Sequence, residues 1–148
     1  MSDPHPERQR FVATFHRAWL ALCAALAIHI TDEALTGFLD LYNPTVLGIR
    51  QRHPWLPIPT FTFSVWIGLL ILAVVGLLIL SRCVGRGLHW TIYAAYPFVL
   101  VMLSNALMHL GFSIYKHAWM PGAYTSPLLL AASLYLWWAT ARRSLYNP

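Results

Sequence analysis

The chain has 148 residues, of which 58% are hydrophobic and 10% charged, with a mean hydropathy of +0.56. Soluble globular domains carry about 25% charged residues, so an ordinary soluble domain is excluded and an integral membrane protein is indicated. The net charge of +5 comes from ten basic residues scattered in pairs beside hydrophobic runs rather than gathered in a patch, which argues against a nucleic-acid partner and for lipid-headgroup contacts.

In chain order, residues 1–17 read as a cytoplasmic amino-terminal segment with Arg8, Arg10 and Arg17. The apolar run Trp19–Ile30 reaches spanning length only if its helix continues through Asp32, Glu33 and Phe38 toward Tyr42, where Asn43-Pro44 would end it. It leads into "HITDE" rather than a small-residue cleavage site, so a retained helix is expected in place of a signal peptide. The connection "NPTVLGIRQRHPWLPIPT" is rich in proline and is expected to lie on or dip into the membrane interface.

Phe61–Ser81, Trp90–Tyr115 and Gly122–Ala141 then lack charges over about 20 residues, the length a helix needs to cross ~30 Å of hydrocarbon. Pro97 should kink the second of these. The expected fold is therefore all-α, an integral membrane bundle of four transmembrane helices over residues 18–141, followed by a cytoplasmic tail, 142–148. Arg8, Arg10, Arg17, Arg82, Arg86, Arg142 and Arg143 fall on one side, and Arg50, Arg52 and Lys116 on the other. The positive-inside rule puts both termini in the cytoplasm, and the plasma (inner) membrane is the expected location. Cys23 and Cys83 show no metal-type spacing and receive no role.

Polar groups inside these runs are the candidates for chemistry. His29, Asp32 and Glu33 share a helix face, as do Asn105 and His109, because positions three and four apart do so. Glu33 follows Arg17, and Asn105 follows His89, by the same number of residues, roughly 24 Å of helix in each case. The first and third crossing helices run in the same direction, so the two polar pairs lie at matching depth. An unpaired charge at a helix centre costs about 2.5 to 3.5 kcal/mol on insertion scales, so these groups must face the bundle and find partners.

"HITDE", followed far downstream by "NALMH" and "MPGAYT", resembles the HXXEE-domain family of multi-pass membrane proteins over His29 to Thr125. The resemblance implies that His29, Glu33, Asn105, His109, Pro121, Gly122 and Thr125 occupy motif positions. Asp32 stands where the family's first glutamate belongs and has a shorter arm. The family has no established reaction, so the resemblance supplies positions and no activity.

His29, Glu33 and His109 make a His₂-carboxylate set suited to a divalent metal such as zinc, or to non-haem iron, with Asp32 as a further candidate ligand. Asp32 and Asn105 can alternatively hold the ring tautomers through hydrogen bonds. The leading expectation is a small membrane enzyme acting on a lipid-like small-molecule substrate from the bilayer. In it Glu33, His29, His109 and Asn105 form the catalytic set, with or without the metal. The alternatives are a non-enzymatic binder or transporter using the same cluster for a metal ion or proton, and a purely structural cluster.

Overall fold

In the computed structural model, which describes residues 5–142, the chain forms five helices, and no strand occurs among the described residues. The tail beyond Arg142, including Arg143, lies outside the described residues. The helices are α1 (His5–Leu35), α2 (Phe38–Arg52), α3 (Phe63–Gly85), α4 (Trp90–Lys116) and α5 (Ser126–Ala141). α1, α3 and α4 are long and apolar enough to cross a membrane; α5 is apolar but has 16 residues.

The first helix stops earlier than its sequence suggested. Gly37 adopts φ 75° and ψ 41°, a left-handed conformation open to glycine at little cost, and it terminates α1 two residues after Leu35. Thr36 completes the ending by bonding the Asp32 carbonyl through both its backbone N–H, at 2.9 Å, and its hydroxyl, at 2.6 Å. Asn43-Pro44, expected to end a helix, instead lies within α2. Pro44 deprives α2 of one backbone donor, yet the helix continues to Arg52. The proline-rich part that follows, residues 53–62, has no regular helix or strand. α4 likewise continues through Pro97.

α1 is the centre of the assembly, packing against α3 on one side and α5 on another, while α5 also packs on α4. Trp19 is fully buried; its indole Nε1–H donates to the Leu77 carbonyl of α3 at 3.0 Å, and its ring meets Phe98 of α4 at 5.2 Å. The pairings of Trp19 with Phe98 and of Glu33 with His109 make α1 and α4 parallel.

Lipid tails are as apolar as leucine, so helices associate in a bilayer through close packing, favoured by small residues. Ala18, Ala25, Ala95, Ala106, Ala132 and Ala139 are accordingly buried. On α5, Ser126, Ser133 and Thr140 are spaced seven apart and buried, and each hydroxyl donates to the carbonyl four residues back, so no polar group is stranded. α3 is the opposite case, with Val65, Leu69, Leu72, Val75 and Ile79 all exposed on its outer side.

Candidate functional site

The last turns of α1 deliver His29 and Glu33 to the bundle interior one helical turn apart, and α4 delivers His109 beside them. Their exposures are 0%, 6% and 6%. One ligand atom from each lies within 4.8 Å of the other two, a group of three that can hold a metal ion. His109 Nε2 is 2.9 Å from Glu33 Oε1, and His29 Nε2 is 3.6 Å from the same oxygen. The imidazoles meet edge to face, with centroids 5.0 Å apart.

The short His109–Glu33 distance is a buried contact between an imidazole and a carboxylate. His109 Nε2 is buried, has Glu33 Oε1 as a close polar neighbour and makes no other hydrogen bond among the described residues. Buried polar atoms with no partner at all are rare in folded proteins because burying one unsatisfied costs about 1 to 3 kcal/mol.

Around this trio the hydrogen-bond directions can be worked out. Asp32 Oδ2 accepts from the backbone N–H of Thr125 at 3.1 Å and from its hydroxyl at 2.9 Å. With its proton so committed, Thr125 Oγ1 accepts from His29 Nδ1–H at 2.9 Å. This chain fixes the His29 tautomer, leaving the lone pair on Nε2, toward Glu33. The Asn105 Nδ2–H donates to that nitrogen at 3.1 Å, so a cation bound there would displace the amide.

The structure thus brings His29, Glu33, His109 and Asn105 together and separates Asp32 from them. The sequence offers Asp32 as a further ligand, but its carboxylate turns to the start of α5, where Thr125 is the N-cap and the helix dipole favours a negative group. Its contribution is to hold Thr125, and through it His29.

Gly122 closes the other side. At φ 80° its backbone passes so near the cluster that a β-carbon would lie 2.8 Å from His109 Cε1, 2.9 Å from Nδ1 and 3.1 Å from Glu33 Cγ. Phe38, the first residue of α2, lies tilted against His109 with ring centroids 5.7 Å apart, and Trp66 stacks on Phe38. A cleft of about 310 Å³ reaches Glu33 between the α1–α2 turn and the start of α3, lined by Phe38, Asn43, Phe61, Phe63 and Trp66 with Asp40 at its side. Phe38 and Trp66 were not singled out from the sequence, where aromatic residues of an apolar chain carry no mark of their destination.

The sequence profile of a family described as proteins of unknown function with an HXXEE motif matches residues 19–136. The chain belongs to this family. The match takes in the whole cluster: His29 and Glu33 begin and end the HXXEE motif in α1, with Asp32 in its fourth position, and Asn105, His109, Gly122 and Thr125 all fall within the matched range. No curated protein and no solved structure matches the chain.

Proposed function

We propose that this HXXEE protein is a small intramembrane enzyme in which His29, Glu33 and His109 bind one divalent cation, zinc being the candidate, and act on a lipid-like substrate admitted through the aromatic cleft. The observation that carries the reading is the convergence of one ligand atom each from buried His29, Glu33 and His109 within 4.8 Å of one another, His109 Nε2 making no hydrogen bond besides its contact with Glu33. A cation satisfies that nitrogen, and the donor set has the composition of a catalytic site with open positions. When bound, the ion supplies Lewis-acid activation of water or of a substrate carbonyl.

The chain's own residues do the rest. Asp32 and Thr125 hold the His29 tautomer, Glu33 serves as ligand when the ion is bound and as general base without it, Asn105 orients the neighbouring groups, and Phe38 and Gly122 keep bulk water from the trio. Without a metal, the Glu33–His109 pair supports proton transfer of the kind an isomerase uses.

Elemental analysis of the protein purified in detergent tests this directly. Wild type is expected to carry about one metal per chain, and Glu33→Gln to lose it while remaining folded, because an amide is a poor ligand and no base. Metal-free wild type refutes the metal version and leaves the proton-transfer one.

A second reading, a cation or proton carrier without chemistry, draws support from the enclosure of the trio. Cation flux into proteoliposomes, lost in Glu33→Gln, would favour it.

The proposed topology has four crossings with both termini cytoplasmic, α5 being the fourth at roughly 24 Å of rise. In a variant with Cys23 and Cys83 replaced, cysteines at Leu56 and Ala118 should label from outside and one at Arg86 from inside. Outside labelling at Arg86 would reverse the orientation.

A further inference from the structure

At the opposite end of α1 a cavity of about 470 Å³ opens between that helix and the end of α3. α1 contributes Arg8, Gln9, Val12, Ala13 and His16, positions that recur along one helical face, and α3 contributes its last residue, Gly85, with Arg86 following. Gly85 leaves room for the imidazole of His16, whose Cε1 lies 3.2 Å from where a β-carbon would stand. Gly87, at φ 66°, turns the chain so closely over α1 that its β-carbon would meet Val12 Cγ2 at 2.9 Å and an Arg8 guanidinium nitrogen at 3.9 Å.

The electrostatics of this cavity are one-sided. Two guanidiniums and an imidazole line it, and among the described residues no carboxylate does and neither Arg8 nor Arg86 has an ion pair. The carbonyls that end α3 would oppose an anion, but those of Arg82, Cys83 and Val84 are taken by the backbone N–H groups of Arg86, Leu88 and Gly87. Depth adds a further constraint. α3 carries no charge from Phe63 to Ser81, has Arg82 in its last turn and ends at Gly85, so Arg86 and the neighbouring cavity lie where a bilayer passes from hydrocarbon to headgroups.

We infer that this cavity binds a phosphate group, held by the Arg8 and Arg86 guanidiniums, with His16 and Gln9 as additional polar contacts. Guanidinium forks match phosphate geometry, and arginine is favoured wherever planar, two-point recognition of such an anion is needed. An anionic phospholipid headgroup and a free phosphate share this chemistry. The inference does not depend on the Glu33 cluster, which lies on the far half of α1.

The test uses the full chain in neutral maltoside detergent, with a fluorescent-tailed phosphatidic acid followed by anisotropy and inorganic phosphate added as competitor. The Arg8→Gln/Arg86→Gln pair is expected to weaken binding by about tenfold or more. Arg10→Gln/Arg17→Gln removes the same charge from the same end of α1 but from residues that do not line the cavity, and should change binding by less than about twofold. Circular dichroism and thermal melting check that both variants fold. Displacement by inorganic phosphate identifies a free phosphate as an occupant; retention of the lipid against phosphate identifies the headgroup. Equal losses in the two pairs, no loss in either, or no binding of either probe to wild type would overturn the assignment.

Discussion

At the Glu33 end of α1, two imidazoles and a carboxylate are withdrawn into the bundle and enclosed by α4, α5 and Gly122. At the Arg8 end, two guanidiniums stand open in a cavity with no counter-charge among the described residues. About 37 Å of one continuous helix separates the two at 1.5 Å per residue. Enclosure makes the polar atoms at the Glu33 end depend on one another for partners, so stability there rests on the contacts that shape the cluster. Openness leaves solvation in place at the Arg8 end, where charges can change with little effect on folding.

The sharpest way to break this contrast is to add the same bulk at the glycine of each end. Gly122→Val forces a left-handed conformation on a β-branched residue and drives it into the His109 ring and Glu33, so denaturant titration should show a loss of about 3 kcal/mol or more. Gly87→Val carries a similar backbone cost but meets only the side-chain end of half-buried Val12, and should lose about half as much. Equal losses would mean that enclosure does not set the difference.

Next in size is the single change His109→Leu, which leaves the Glu33 carboxylate buried without its nearest partner and should cost about 3 kcal/mol, with the second change Glu33→Leu restoring most of it. No recovery in the double variant would show that the trio is held for reasons other than mutual compensation. Thr125→Val removes the link between Asp32 and His29 and should cost about 1 to 2 kcal/mol and lower metal affinity about tenfold, whereas Thr125→Ser keeps both. A Val variant with unchanged metal content would detach this hydrogen-bond chain from the site. The smallest effect belongs to the open end, where Arg8→Gln/Arg86→Gln should leave the melting temperature and the metal content at wild-type values.

Local periodicity was enough to read the helical class and the inward pairs His29 with Glu33 and Asn105 with His109, because spacing of three or four residues is a property of the helix itself. The arrest at Gly37 was not read: Asn43-Pro44 looked like the stronger stop, yet α2 accommodates it, and a glycine stops a helix only when the turn takes up positive φ. Gly122 was read as the start of an apolar helix, but its left-handed turn delays α5 to Ser126. The role of Asp32 was beyond local spacing, since its partner Thr125 lies 93 residues away and only tertiary packing decides which neighbour a carboxylate finds.

Asn43 has a bearing on traffic to Glu33. Its side-chain amide copies a strand neighbour, donating to the Phe61 carbonyl at 2.9 Å and accepting from the Phe61 N–H at 3.0 Å, while Tyr42 fastens the Pro59 carbonyl at 3.0 Å. The segment between is stiffened by Pro54, Pro57 and Pro59, so these three bonds make the rim of the cleft a clamped frame rather than a swinging flap. For the entrance proposed above, an aperture of that kind would favour an unbranched chain passing Phe61 and Trp66 over a bulky ring system.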